Sequence, residues 1–354
     1  MFEFKISMGI RTIGLIYYKL GTKDLTNFDF LQLLRPGRYL FSLVLISLNQ
    51  SQEDILSSGI IIAQVPIYTF QVETVNYYVS GGNGIQIYVE EKGDPEKTTI
   101  LFTSGYMSSR LAWNPLWYDT EFSEKFHLVR WDYRGAGRSD KPRDAKAYSL
   151  ELNAQDLQAV ITKIKKDKPN KKIITVGWSF GTPTTTTFMI NNPDIKIDGF
   201  ISVGGMIFLN FTEPNLNNDE ILKYSIASVD PDYKFSTIVY GLNGYSNYRT
   251  FKPVSDQYRA FKLGESVLIP PEYRKFDAKS FDYRDFFSSL NIPTLNLIGE
   301  KDKLVTLEHS LQFASLAKNG KKIVYKDIGH SPPWEDTKSD CYPLFIIKNL
   351  VIMY

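Results

Sequence analysis

The sequence predicts an α/β protein whose strands form a mainly parallel, doubly wound sheet. Short apolar runs recur from about residue 77 onward, and stretches with apolar residues at helical spacing separate them. Several of the runs are continuous rather than alternating, which is typical of strands covered on both faces. Because strands and helices alternate along the chain, consecutive strands are expected to lie parallel, with helices on both faces of the sheet.

The first predicted elements form an antiparallel hairpin at one edge of this sheet. Residues 77–79 and 85–89 are strand-like runs, and Ser-Gly-Gly-Asn-Gly at 80–84 supplies the turn between them. Glycine and asparagine adopt the backbone conformations that a tight turn needs.

The remaining elements follow from the same two patterns. Strands are predicted at 98–103, 127–131, 173–176, 200–203, 294–298 and 322–326. Helices are predicted at about 149–166, 182–190 and 307–317. The second of these helices contains a run of threonines, which are poor helix formers. It is expected to end near Asn-Asn-Pro at 191–193.

A lone serine between two glycines follows the strand at 173–176. The stretch reads Gly-Trp-Ser-Phe-Gly at 177–181, and the threonine-rich helix comes next. Glycines remove side chains that would collide in a tight strand-to-helix turn, so the hydroxyl of Ser179 projects from it. The helix N-terminus then lies beside any negative charge that develops there. The pattern therefore predicts Ser179 as a nucleophile.

Other candidate residues follow the carboxyl ends of neighbouring strands, where functional groups gather in a sheet of this kind. Tyr106 comes after the strand at 98–103, and Asp302 lies in the Gly-Glu-Lys-Asp loop after the strand at 294–298. His330 lies in the loop after the last predicted strand. Glu300 is the alternative to Asp302, although it directly follows the turn glycine and is nearer the strand end.

Three histidines compete for the role of a base. His309 lies inside the predicted helix at 307–317, which favours a packing or surface role. His127 begins a strand at its amino end, on the wrong side of the sheet. His330 is the one that follows the carboxyl end of a strand, and it is the predicted base.

The composition excludes several classes of function. The chain of 354 residues has 41 Lys+Arg against 39 Asp+Glu, which gives no reason to expect a nucleic-acid partner. A single cysteine and three histidines make a disulfide framework or a metal cluster unexpected. Gly135-Ala-Gly137 is the start of a dinucleotide fingerprint, but Asp140 replaces the third glycine. Residues 132–139 are interpreted as a structural turn, and no cofactor is predicted.

Residues 1–70 are interpreted as an N-terminal extension of uncertain structure. Residues 35–48 combine a basic stretch with a short apolar run, yet they lie too far into the chain for an ordinary signal peptide. The run is also shorter than the roughly 20 residues that span a bilayer. A cytoplasmic protein is expected, and a targeting or membrane-associated segment at 35–48 is the alternative.

Taken together, these motifs resemble the α/β-hydrolase fold superfamily, in particular its small serine esterases and cofactor-free haloperoxidase-like hydrolases. The resemblance covers about residues 77–334 and is carried by Ser-Gly-Tyr at 104–106, the loop at 132–139, Gly-Trp-Ser-Phe-Gly, Gly-Glu-Lys-Asp and Gly-His at 329–330. It implies a domain over 71–354 with an α/β-hydrolase fold. The order Ser179, Asp302, His330 is that of the superfamily's catalytic triad. The resemblance further implies that the backbone N–H groups of Tyr106 and Phe180 bind an oxyanion.

The segment at about 205–293 is too long for a simple connection, and in this superfamily such an insertion is usually a mostly helical cap. Its aromatic side chains are interpreted either as the lining of a cavity or as packing between cap and sheet: Phe208, Phe211, Tyr233, Phe235, Tyr240, Tyr245 and Tyr248. Two features depart from the family pattern. Ser104 stands where many relatives have histidine, and the sequence after residue 336 lacks the pattern of a long amphipathic helix.

The predicted function is hydrolysis of a small ester-like substrate through an acyl-enzyme, with Ser179 as nucleophile, His330 as base and Asp302 as its partner. Perhydrolysis of the same intermediate is one alternative. A non-catalytic ligand-binding protein that has kept the fold is the other. The sequence gives no prediction of oligomeric state.

Overall fold

The computed structural model describes residues 2–8, 11–18, 74–209, 219–229, 232, 234–274 and 280–335. The chain divides into two compact units, Met1–Val72 and Glu73–Tyr354. In the first unit, β1 (Phe2–Met8) pairs antiparallel with β2 (Arg11–Tyr18), and the register shifts between Lys5 and Ser7. Residues 35–48 and the sequence after residue 335 lie outside the described residues, and the domain boundaries stay predictions.

The second unit is built on ten further strands. They are β3 (Val75–Ser80), β4 (Gln86–Lys92), β5 (Thr99–Thr103), β6 (His127–Trp131), β7 (Ile173–Trp178), β8 (Gly199–Val203), β9 (Phe208–Leu209), β10 (Phe281–Asp282), β11 (Thr294–Gly299) and β12 (Gly320–Tyr325). Eight of them form one sheet in the order β12-β11-β8-β7-β5-β6-β4-β3, and β9 pairs separately with β10.

The sheet is parallel from β12 to β6. The β3–β4 hairpin pairs antiparallel and joins the sheet through β6. The predicted parallel sheet with an antiparallel edge hairpin is therefore confirmed. The candidate residues follow β5, β7, β11 and β12. Because these four strands run in one direction, their carboxyl ends meet at a single edge of the sheet.

The described residues of the second unit form eleven α-helices, which surround the sheet and make up the insertion. They are α1 (Asn114–Trp117), α2 (Thr120–Lys125), α3 (Leu150–Asp167), α4 (Gly181–Asn191), α5 (Asp219–Ser228), α6 (Phe235–Tyr248), α7 (Asp256–Val267), α8 (Pro271–Arg274), α9 (Arg284–Ser289), α10 (Leu307–Leu316) and α11 (Pro332–Glu335). No helix among the described residues combines the length and the apolar character that crossing a membrane requires.

Helix starts follow from local capping chemistry. The hydroxyl of Ser149 accepts a hydrogen bond from Leu152 N–H at 3.1 Å, and this satisfies one of the free amides at the start of α3. Thr306 caps α10 in the same way, accepting from His309 N–H at 3.2 Å. Both caps lie within one residue of the starts predicted from the sequence.

Two apolar cores cover the two faces of the sheet. One contains Leu157 and Ile161 of α3 together with Phe188 of α4, and the other contains Trp113 and Trp117. Burial on both faces explains the continuous apolar sequence of the central strands.

The threonine-rich helix α4 is buried although its sequence is polar. All residues from Thr182 to Thr187 are buried. The hydroxyls of Thr184, Thr186 and Thr187 each donate to the carbonyl oxygen four residues earlier, at 3.0, 2.9 and 2.9 Å. These bonds satisfy the hydroxyls inside the helix itself.

The insertion between β8 and β11 is mostly helical and contains α5 to α9, as the fold prediction expects of a cap. Its aromatic residues do not all line a cavity, however. Phe235 and Tyr240 are 72% and 46% exposed, so this part of the cavity interpretation is wrong. Both lie on faces of α6 that point to solvent, an orientation that composition does not reveal. Phe211 and Tyr233 lie outside the described residues.

Candidate functional site

Ser179 occupies a strained turn between β7 and α4. Its φ angle is +52°, in the left-handed region that a side-chain-bearing residue rarely adopts. A Cβ on Gly177 would lie 2.8 Å from the backbone of Gly181, and a Cβ on Gly181 would overlap the carbonyl oxygen of Thr103. The two glycines therefore allow the chain to pass closely enough for the serine to project from the turn.

Strand β8 and helix α4 each place a polar group next to the backbone of Ser179. Its backbone N–H donates to the carbonyl oxygen of Val203, at the end of β8, at 2.9 Å. The α4 helix begins two residues later, so its N-terminal dipole lies next to the serine. Ser179 is 7% exposed, so the turn is covered in this conformation.

Asp302 and His330 form a buried pair. Nδ1 of His330 lies 2.7 Å from Oδ2 of Asp302, and both side chains are 1% exposed. The other carboxylate oxygen of Asp302 accepts hydrogen bonds from the backbone N–H groups of Leu304 and Val305, at 2.8 and 2.9 Å. These two amides fix the carboxylate so that its free oxygen faces the imidazole.

Glu300, the alternative to Asp302, lies elsewhere. Its carboxylate accepts from the backbone N–H of Asp327 at 3.3 Å and lies 3.5 Å from Lys301 Nζ. It is partly exposed, and no hydrogen bond or ion pair within the described part of the chain joins it to the imidazole of His330. The structure therefore pairs Asp302, and not Glu300, with the histidine.

Gly204 brings the serine turn and the His330–Asp302 pair together. Gly204 directly follows Val203, whose carbonyl oxygen accepts the hydrogen bond from the Ser179 backbone N–H. The φ angle of Gly204 is +51°. A Cβ on Gly204 would lie 3.2 Å from both Asp302 Oδ2 and His330 Nδ1. Nε2 of His330 is buried and has no hydrogen-bond partner among the described residues. That nitrogen is the one able to accept a proton while Nδ1 donates to Asp302.

The other two histidines have structural surroundings. His309 Nε2 accepts a hydrogen bond from Ile207 N–H at 3.2 Å, and its ring packs on Phe208 with centroids 4.3 Å apart. Burial lowers the pKa of His309 to about 4, and nearby Arg284 adds to the shift. His127 lies at the opposite end of the sheet, where Nδ1 is 3.0 Å from Thr99 Oγ1.

The predicted oxyanion residues adjoin the serine. A Cβ on Gly105 would lie 3.2 Å from Ser179 Cβ, so this loop passes directly against the nucleophile turn. The rings of Tyr106 and Phe180 meet edge to face with centroids 6.1 Å apart. Ser104, which stands where many relatives have histidine, donates its hydroxyl to the carbonyl oxygen of Ser109 at 2.9 Å and so closes the loop on itself.

The sequence matches two family models. Residues 94–233 match the family described as "Serine aminopeptidase, S33", and residues 226–341 match that described as "Serine hydrolase (FSH1)". The esterase RhEst1 from Rhodococcus sp. ECU1013 is a structural neighbour with a TM-score of 0.68 and 18% identity, covering 79% of this chain and 99% of its own. The chain has the α/β-hydrolase fold.

Two curated relatives match over less of the chain than this structural neighbour does. "AB hydrolase superfamily protein YisY" of Bacillus subtilis is 20% identical over 273 residues, which cover 74% of this chain and 95% of that protein. "Probable oxidoreductase EphD" of Mycobacterium tuberculosis is 33% identical over 94 residues. That match covers 26% of this chain and spans only 15% of the length of EphD.

An aromatic cluster from the insertion covers the loop that carries Tyr106. Tyr273 stacks on Tyr106 with centroids 5.6 Å apart and planes 19° apart, and Tyr245 meets the same ring edge to face at 6.3 Å. The Tyr106 hydroxyl donates to the carbonyl oxygen of Arg274 at 2.8 Å. Burial holds the pKa of the Tyr106 phenol well above its usual range, so the ring is neutral.

A buried ion pair from the cap contacts the same loop, and the sequence analysis did not predict it. Lys262 is completely buried in α7, pairs with Glu265, and donates to the hydroxyl of Ser108 at 3.0 Å. Glu265 in turn accepts from the backbone N–H of Ser109 at 2.6 Å. Burial lowers the pKa of Lys262 to about 8, an effect that Glu265 opposes. In the sequence this pair resembles an ordinary i,i+3 pair on a helix surface.

The loop at 132–139 has the structural role that the sequence analysis assigned to it. Oδ1 of Asp132 accepts from the backbone N–H of Arg110 at 2.8 Å, and Oδ2 accepts from that of Arg138 at 2.9 Å. A Cβ on Gly137 would overlap the Asp132 carboxylate, so the glycine is required for this packing. Within the described part of the chain, no group of histidine, cysteine and acidic side chains is arranged to hold a metal ion.

Proposed function

We propose that this α/β-hydrolase is a serine hydrolase that cleaves an ester-like bond. Ser179 is the nucleophile, His330 the general base and Asp302 its partner. The observation that carries the proposal is the 2.7 Å contact between His330 Nδ1 and Asp302 Oδ2. Gly204, which approaches both groups, directly follows the residue that accepts the Ser179 amide, and this supports the assignment of Ser179 to the same site. The two matching family descriptions, both of serine enzymes, support the same assignment.

In the first half of the reaction, Ser179 Oγ attacks the carbonyl carbon of the substrate while its proton passes to His330 Nε2. The carbonyl oxygen becomes an oxyanion, which the backbone N–H groups of Tyr106 and Phe180 stabilise. The bond to the leaving alcohol then breaks, and the alcohol takes the proton from His330. Asp302 keeps Nδ1 protonated throughout and stabilises the positive charge of the imidazolium.

In the second half, water attacks the acyl group on Ser179, and His330 Nε2 accepts one proton of that water. Ser179 leaves with this proton and the carboxylic acid is released, so that one ester and one water give one acid and one alcohol. The N-terminus of α4 lies next to the serine, where it stabilises negative charge in both halves.

The substrate class proposed is a small, uncharged ester. The walls that the cap places beside the oxyanion loop are the neutral aromatic rings of Tyr106, Tyr245 and Tyr273. Such surfaces favour apolar or aromatic groups on the acyl or alcohol side. The name of the structural neighbour RhEst1, an esterase, agrees with this class.

A fluorophosphonate probe tests the proposal directly, because it labels only a serine that a base activates. The full chain should be labelled, and Ser179→Ala should abolish both labelling and hydrolysis of p-nitrophenyl acetate. Ser123→Ala is the matched control, since Ser123 is also buried but its hydroxyl bonds to the carbonyl oxygen of Thr120 in α2. Absence of labelling in folded protein, or labelling that persists in Ser179→Ala, would refute the proposal and favour a ligand-binding protein.

The products distinguish hydrolysis from perhydrolysis of the same acyl-enzyme. With water as acceptor the acyl group is released as the carboxylic acid, and with added hydrogen peroxide a perhydrolase releases it as the peracid. A panel of p-nitrophenyl esters of increasing acyl length then defines the acyl group that the aromatic walls accept.

A further inference from the structure

We propose that Glu335 is a positioning residue for His330, an inference that rests on the serine-hydrolase function proposed above. Glu335 ends the short helix α11 and follows the histidine by five residues. It is 7% exposed, so its carboxylate is a buried charge. Glu335 is not a member of the proposed triad, and its hydrogen-bond partners indicate its structural role.

The carboxylate of Glu335 holds both neighbours of the histidine. Oε2 accepts a hydrogen bond from the backbone N–H of Gly329 at 2.9 Å, and Oε1 accepts from that of Ser331 at 3.1 Å. His330 lies between these two amides, so one side chain fixes the backbone on each side of it. Bonds from amides to a carboxylate are shorter and stronger than those between neutral groups.

The same carboxylate also holds a segment of the cap. Oε2 accepts from the backbone N–H groups of Phe251 and Lys252, at 2.7 and 3.1 Å, just after the end of α6. The backbone N–H of His330 donates to the carbonyl oxygen of Arg249, in the same segment, at 2.8 Å. The histidine loop and the cap segment at 249–252 are therefore joined through one buried carboxylate.

Only a carboxylate satisfies all four amides. Each partner is a backbone N–H donor, and an ionised carboxylate accepts at both oxygens. Glutamine has nearly the same shape, but its amide nitrogen donates and would face one of these donors. Packing leaves no space for an alternative arrangement, since a Cβ on Gly329 would lie 2.7 Å from Phe251 N and 2.9 Å from Glu335 Oε1.

This arrangement bears on catalysis because His330 Nε2 must lie within reach of Ser179 Oγ. Asp302 holds only the Nδ1 side of the ring, so the height of the ring above the serine depends on the backbone at 329–331. A shift of about 1 Å in a reacting group can lower a rate by about 10²-fold. Loss of the Glu335 bonds should therefore lower kcat while leaving the binding of substrate almost unchanged.

The test compares Glu335→Gln, Glu335→Ala and the control Asp156→Asn in the full chain. Asp156 is another fully buried carboxylate that accepts from a backbone N–H, that of Gly82, and from Arg134, but it lies on α3 away from the histidine loop. We measure fluorophosphonate labelling, and kcat and KM on p-nitrophenyl acetate, per mole of protein shown to be folded by near-ultraviolet circular dichroism.

We expect kcat to fall about tenfold in Glu335→Gln and about 10²-fold in Glu335→Ala, with KM within about twofold of wild type. Asp156→Asn should lose thermal stability yet keep kcat within about twofold. Unchanged kcat in folded Glu335→Gln, or an equal loss in Asp156→Asn, would overturn the inference. If Glu335→Ala does not fold, the glutamine variant decides. Wild-type protein that reacts neither with the probe nor with the ester would instead refute the proposed function.

Discussion

The indole N–H of Trp178 donates a 2.8 Å hydrogen bond to the backbone carbonyl oxygen of His330. Trp178 is the residue directly before Ser179, and its ring lies 6.0 Å from the imidazole. The element that carries the proposed nucleophile therefore also holds the loop that carries the proposed base. This buried bond links two parts of the chain that are far apart in sequence.

We predict that Trp178→Phe lowers kcat on p-nitrophenyl acetate about tenfold with little change in KM. Phenylalanine fills much of the same space but leaves the His330 carbonyl oxygen without this donor, so the loop is held less firmly. Trp113→Phe is the matched control, because the buried indole nitrogen of Trp113 has no hydrogen-bond partner within the described residues. Equal losses of kcat in both variants would show that ring volume, and not the bond, is responsible.

A second prediction concerns the carboxylate of the triad. Asp302→Asn should keep the fold while leaving the histidine without a charged partner and liable to the wrong tautomer. In a Ser-His-Asp enzyme of another fold that change lowers kcat about 10⁴-fold. Glu300→Gln should change kcat by less than about tenfold, since Glu300 bonds only to its own loop. Steady-state kinetics of the two variants decides, and a severe loss in Glu300→Gln alone would reverse the assignment.

A third prediction contrasts two glycine-to-alanine changes by stability. Gly181→Ala places a methyl group onto the carbonyl oxygen of Thr103 and should lower the free energy of unfolding by about 1–3 kcal/mol or more. Gly264→Ala lies inside α7 with no atom within 4 Å of the new methyl group. It should raise stability by about 0.5–1 kcal/mol, because alanine favours helix. Urea unfolding monitored by circular dichroism measures both, and stabilisation by Gly181→Ala would contradict the tight turn.

A fourth prediction follows from His309, whose pKa falls from its ordinary 6.5 to about 4 in the folded chain. Between these values the unfolded chain binds a proton that the folded chain does not, so stability rises with pH across this window. The stability that the neutral His309 ring contributes to the folded state is complete above about pH 6.5 and is lost as the pH falls toward 4. The His309→Gln variant should show a shallower loss of unfolding free energy from pH 7 to pH 4.5.

That difference should be on the order of 1–3 kcal/mol, given the size of the shift and the burial of the ring. Urea unfolding at several pH values in this window measures it in both proteins. Identical slopes for wild type and His309→Gln would mean that the ring is not held neutral by burial.

The sheet was predictable because its signals are local. The strand at His127–Trp131 has the bounds predicted from the sequence, and the caps Ser149 and Thr306 mark the starts of α3 and α10. The ends of parallel strands then place Ser179 and His330 at one edge without any knowledge of side-chain packing.

The choice between Asp302 and Glu300 could not be made in this way. They lie two positions apart in one loop, and the direction of each carboxylate depends on which backbone amides point at it. The amides of Leu304 and Val305 orient Asp302 toward the imidazole, whereas the amide of Asp327 draws Glu300 away. Sequence spacing carries no information about such orientations.

Contacts between distant parts of the chain were missed altogether. Lys262 meets Ser108 across 154 positions, and Glu335 meets Phe251 across 84. Nothing in the local pattern distinguishes either side chain from an exposed charge. The exposed ring of Phe235 is the converse case, since the face of α6 that meets solvent is decided by how the helix docks and not by which residues it contains.

The threonine hydroxyls of α4 affect how well hydropathy estimates the burial of this helix. Hydropathy scales rank threonine by how its free hydroxyl behaves in water, yet in Thr184, Thr186 and Thr187 that hydroxyl bonds to a carbonyl oxygen of the same helix. Each of these three hydroxyls is therefore satisfied within the helix. A scale that treats them as free hydroxyls underestimates the burial of the helix that follows Ser179, whose whole threonine run is as inaccessible to water as the strands it covers.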